Sequence, residues 1–200
     1  MDAIETMMNE HRAIERVLDA LVAFAEEVQR KAATDKEELG RFLTFVREYA
    51  DAGHHGKEED ILFRAMVEHG FPRNGGPIAV MLQEHDQGRG LVAILRARAE
   101  QAGPWSDDDR QEIVQVASGF SRMLHAHIHK EDAILYPMAE QHLPPEAMAQ
   151  VGAACDEFEA ARIASGSLER LSALGEALVA RHAHAVHPPS DPAGGFGCCG

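Results

Sequence analysis

The chain carries the same pair of motifs twice, and that repetition constrains its fold more than any other feature. Met-Met-Asn-Glu-His at residues 7–11 returns as Met-Leu-Gln-Glu-His at 81–85, and His-x-x-Lys-Glu-x-x-Ile-Leu at 54–62 returns at 127–135. The offsets, 74 and 73 residues, are nearly equal. The residues that recur are those that coordinate metals, as expected of two helical hairpins building one symmetric metal site.

Two hundred residues suit one domain with a substantial core. With 45% hydrophobic and 26% charged residues, few aromatics and no strand-like alternation, the composition is that of a soluble helical protein. A formal charge of −14 without a basic patch argues against a nucleic-acid partner. No apolar stretch approaches the ~20 residues of a membrane span, and the N-terminus lacks signal-peptide character, so no membrane partner and a cytoplasmic location are expected. Cys155, Cys198 and Cys199 form no Cys-x-x-Cys pair, which makes a disulfide framework unexpected.

Periodicity and breakers predict four long helices: residues 3–30, from Thr34 or Asp35 to about Gly70, 78–101, and from a Ser106 cap to about His142. Short loops favour an all-α, up-down-up-down four-helix bundle over residues 1–143. Two further helices, about 145–164 and 168–184, form a C-terminal extension over 144–186. A Pro/Gly/Cys tail at 187–200 is expected to be flexible.

Residues four apart share a helical face, so His54 with Glu58 and His127 with Glu131 each pair an imidazole with a carboxylate. Leu43, Ala50, Ile61 and Ala65 share the face of the first pair, and Phe120, Ile134 and Met138 that of the second, so the ligand face is the core face. His11 and His85 are each centred on an apolar stripe. Six such groups in a core without partners would cost several kcal/mol apiece, so a cation must neutralise them. Imidazole with carboxylate suits iron, manganese or zinc. Two metals with bridging glutamates would keep positions free for a small molecule.

These motifs, in this order over residues 1–142, resemble the hemerythrin-like, HHE cation-binding family. The resemblance implies a four-helix bundle holding two iron ions, oxo- or hydroxo-bridged, ligated by His11, His54, Glu58, His85, His127 and Glu131, with the two glutamates bridging. Oxygen-carrying members have a second histidine four residues along the third helix, where this chain has Arg89. The departure resembles the bacterial branch with four histidines and two glutamates and counts against simple oxygen carriage. Asp132 would match the carriers' His-x-x-x-x-Asp spacing, but Glu131 is preferred because it repeats Glu58.

His55 and Glu59, about 100° around the helix, are expected at the rim or behind the ligands. Glu15 is read as a surface charge, His125 and His129 as solvated, and Met7, Met8, Met81 and Met123 as apolar walls. Tyr136, nine residues beyond His127, is assigned to the opposite face and ordinary packing, and Pro137 is expected to kink the helix. Cys155 is read as a buried structural thiol, and His182, His184, His187 and the last cysteines as incidental ligands in a tail.

Function follows at two levels. The leading expectation is a di-iron protein that binds or reacts with O2, NO or H2O2 in redox sensing or stress defence, with NO- or peroxide-reducing turnover left open. The alternative is a non-enzymatic iron-binding or iron-sensing module acting on a protein partner through the C-terminal region. A colourless structural zinc bundle is a third class. The family's repair proteins carry a cysteine-containing domain before the bundle, which here starts within about ten residues of Met1, so repair is disfavoured.

Overall fold

Asp35 opens the second helix by accepting from the backbone N–H groups of Glu37 and Glu38 at 2.9 and 3.3 Å, as an N-cap should. Ser106 and Asp109 form a reciprocal capping box at the start of the fourth. Pro77 follows the positive-φ glycines Gly75 and Gly76 at the start of the third. The computed structural model describes residues 3–31 and 35–182 and, among them, six helices and no strand. They are α1 (Ala3–Gln29), α2 (36–68), α3 (Gly76–Glu100), α4 (107–142), α5 (Pro145–Ala164) and α6 (Ser167–His182). The predicted tail, with His184, His187 and the last two cysteines, lies outside the described residues.

The first four helices form an up-down-up-down bundle in which α1 and α3 each pack against α2 and α4. The C-terminal helices lie over the seam between α1 and α2: α6 touches both, and α5 reaches α1 and the middle of α2. No helix among the described residues is long and apolar enough to cross a membrane.

Two apolar clusters fill the bundle. One gathers Leu18, Phe24, Phe42, Leu95, Ile113 and Phe120, and the other Met7, Leu62, Phe63, Met66, Ile78 and Leu135. On every helix of the bundle the histidine motif falls between the residues of the two clusters. A buried polar layer therefore cuts the core across.

Neither α2 nor α4 is a regular α-helix at that layer. The helix α2 is π-helical over Val46–His55 and Glu58–Leu62, and α4 over Glu131–Leu135. The π hydrogen bonds run from the Phe63 N–H to the Glu58 carbonyl and from the Tyr136 N–H to the Glu131 carbonyl. Each π turn takes in one residue more than an α turn, so side chains beyond it fall back by about 100°. That shift corrects two expectations on α4. Ile134, expected to face the core, is 52% exposed; Leu135 is buried instead; and Tyr136, expected on the far face, is fully buried in the bundle. Pro137 follows this widened turn, in the first turn of the α-helical stretch Tyr136–His142, and the helix runs on to His142.

Candidate metal centre

Four helices bring His11, His54, Glu58, His85, His127 and Glu131 into the polar layer, each at most 1% exposed. Together with His55 they form two groups with ligand-capable atoms within 4.8 Å of one another: His11, His54, Glu58 and Glu131, and His55, Glu58, His85 and His127. Glu58 belongs to both. Glu131 also spans them, with Oε2 3.3 Å from His11 Nε2 and Oε1 2.9 Å from His127 Nε2. The Nε2 atoms of His85 and His127 lie 3.0 Å apart.

Every one of these imidazoles is fixed from behind by a carboxylate at Nδ1. The pairs are His11 with Asp132 at 2.7 Å, His54 with Glu10 at 2.8 Å, His85 with Glu59 at 2.7 Å and His127 with Glu84 at 2.8 Å. His55 faces Asp51 at 3.3 Å. The acids are held in turn by cations: Asp132 by Arg12, Glu10 by Lys57, Glu84 by Lys130, and both Glu59 and Asp51 by Arg89. With Nδ1 occupied, Nε2 points inward, the arrangement by which proteins orient metal-binding histidines.

The donor set fits a cation. His54 Nε2, Glu58 Oε2 and both Glu131 oxygens are buried without a hydrogen bond, and such atoms cost about 1–3 kcal/mol each when left unpaired, more when charged. Burial and the neighbouring Glu131 push the Glu58 carboxyl well up. Glu131 stays well below the usual carboxylate range, because His11 and His127 outweigh its burial. Burial, reinforced by the charges of neighbouring histidines, holds His54 far down, and burial brings His55 to about 4. Both therefore present neutral imidazoles, the form that binds metals.

Two residues of this layer escape a reading by ideal helical geometry. His55 is not at the rim: it is 8% exposed and stacks on His85 with ring centroids 3.8 Å apart. In the wide π turn, adjacent histidines can both face inward. Tyr136 donates from its hydroxyl to Glu58 Oε1 at 2.6 Å, and the hydroxyl oxygen lies 3.4 Å from His11 Nε2.

The other candidates fall where spacing puts them or are displaced with a reason. Asp132 turns to the outer nitrogen of His11, whereas Glu131 points inward. Glu15 pairs with Arg12 at 3.0 Å, and His125 with Asp19 at 3.0 Å, both outside the layer. His129 is exposed. Met7 and Met81 are buried walls, but Met8 is 36% exposed. His182 is no tail ligand: it is buried, with Nε2 3.0 Å from Glu38. Cys155 is buried, and that burial pushes its thiol up to about 11.

A bundle with two buried His/Glu clusters, each able to hold a metal ion, defines a metal-binding all-α protein. The hemerythrin HHE cation binding domain matches residues 2–139, and the chain belongs to that family. A search of curated proteins gives no match.

Proposed function

We propose that the chain is a non-heme di-iron protein that binds or reacts with O2, NO or H2O2. The observation that carries this reading is the pair of buried donor groups sharing Glu58, with four donor atoms left without hydrogen bonds. In it, His11, His54, Glu58, His85, His127 and Glu131 are ligands, His55 adds a fifth imidazole, and Glu58 and Glu131 bridge. Two ferrous ions held there would supply two electrons to a small oxidising ligand.

The residues divide the remaining work. One group has two imidazoles and the other three, so the first leaves more coordination free for an external ligand. Beside it the Tyr136 hydroxyl holds a proton against Glu58. Asp132, Glu10, Glu59 and Glu84 fix the imidazole tautomers, and the apolar clusters above and below exclude bulk water.

Metal analysis and visible spectra of anaerobically purified protein test the reading. About two irons per chain, with charge-transfer absorption developing in air, is the expected result. Stoichiometric zinc without colour, from cells grown with iron available, would overturn it. Assays of peroxide and NO consumption then separate turnover from reversible binding.

One observation favours a second reading, in which the centre signals through the C-terminal helices. Lys57 is fully buried and joins Glu10, which holds His54, to Glu159 of α5 at 2.6 Å. Ligand-dependent proteolysis of α5 and α6, without turnover, is the outcome that selects it.

A further inference from the structure

Beside the metal layer, a half-enclosed cleft of about 130 Å³ opens between α2, α3 and α4. Val46, Val92, Phe120 and Leu124 form apolar walls, and Gly88 contributes no side chain. The buried rings of His55 and His85 close its inner end. At the outer end stand the exposed Arg47 and Arg96, which also border a neighbouring surface hollow with Lys36, Glu37 and Glu100, of which Glu37 is taken up by Arg41 at 2.6 Å.

The charges around the cleft leave a positive surplus at that outer end. Asp51 is taken up by His55 and Arg89, and Glu84 by His127 and Lys130. Arg89 is itself engaged by Asp51, Glu59 and Asp86. Arg47 has no ion-pair partner among the described residues, and Arg96 has only Glu100 at 3.8 Å. Two guanidinium groups so lightly engaged, over an apolar cleft in a chain of net charge −14, match a ligand with an anionic head and an apolar body. An apolar cavity of roughly 150 Å³ accommodates benzene, so the space here suits a body of about five or six carbons.

We propose that this cleft binds a small organic monocarboxylate. The carboxylate is held by Arg47 and Arg96, and the apolar chain runs inward along Val46, Val92 and Phe120 to end against His55 and His85. The proposal holds whichever metal occupies the centre, because the anchoring and wall residues are not ligands in the reading above.

Isothermal titration of the full-length, metal-loaded protein with sodium hexanoate tests it, with 1-hexanol as the uncharged control and metal content measured in parallel. Saturable one-site binding of hexanoate is expected, at least about tenfold tighter than hexanol and weakened by about tenfold or more in the Arg47→Ala/Arg96→Ala double variant. Val92→Phe should fill the cleft and abolish binding at unchanged metal content. If that variant does not fold, the arginine pair decides alone, since both side chains are exposed. Absence of saturable binding up to about 10 mM hexanoate, equal binding of hexanol, or an unaffected arginine variant would overturn the proposal.

Discussion

Arg89 stands one turn beyond His85, where the oxygen carriers place a second histidine. Its guanidinium instead clamps Asp51 and Glu59, which hold His55 and His85, and in the proposed centre His55 would supply the imidazole that position 89 does not. His55→Ala is therefore expected to lower the metal content from about two ions per chain to about one, measurable by elemental analysis. Glu84→Ala and Asp132→Ala keep every ligand but free an imidazole, so affinity should fall about 10–100-fold in chelator competition. Glu15→Ala should leave it unchanged. The repeat made the six inward residues legible because both halves carry them. It also carried their supports, since Lys57 and Lys130, Glu10 and Glu84, and Glu59 and Asp132 all recur at matching positions. What it could not reveal was the pairing. Glu10 reaches a histidine 44 residues away, Glu84 one 43 away and Asp132 one 121 away, and such cross-helix contacts leave no local spacing.

The π turns of α2 and α4 account for most of what ideal helical geometry misplaced, because a phase argument assumes about 100° per residue throughout. His55, Ile134 and Tyr136 all lie in or just beyond a widened turn. Deleting Ala133 removes the extra residue, so the α4 segment should become regular α-helix with Leu135 and Tyr136 kept at their present phase in the core. Thermal unfolding with metal analysis checks this: a midpoint close to the parent's is expected, and a loss of about 2–5 kcal/mol, as from emptying that part of the core, would mean that the turn does not set the phase. The docking of α6 is tight in a different way. A Cβ added at Gly175 would come within 2.6 Å of the buried Phe45 ring, so Gly175→Ala is expected to destabilise by about 1–3 kcal/mol. Helix boundaries were well legible, since Asp35, Ser106, Pro77 and Pro145 cap or start helices through chemistry that needs no tertiary partner.

Across the whole molecule, Glu38 ties the C-terminal helix to the bundle. Its carboxylate accepts from Arg181 at 2.6 Å, His182 at 3.0 Å and Arg41 at 2.8 Å, while Glu27 faces the other side of His182. Burial alone would raise its carboxyl, but these donors hold it at about 2 against an ordinary 4.5. A depressed carboxyl stabilises the fold above its ordinary value and loses that contribution as pH falls towards 2. Glu38→Gln should therefore melt lower than the parent protein near pH 7, with the gap closing between about pH 4.5 and pH 2. The layer of histidines and glutamates has a consequence of its own for cooperativity. A core divided by unpaired polar atoms has a fault plane across which little apolar contact passes, so each half can melt without strongly disturbing the other. A bound cation joins four helices at that plane and lends its binding energy to their union. Calorimetry should accordingly record one transition for the metal-loaded chain and two for the metal-free chain, the ions acting less as cargo than as the mortar between two storeys.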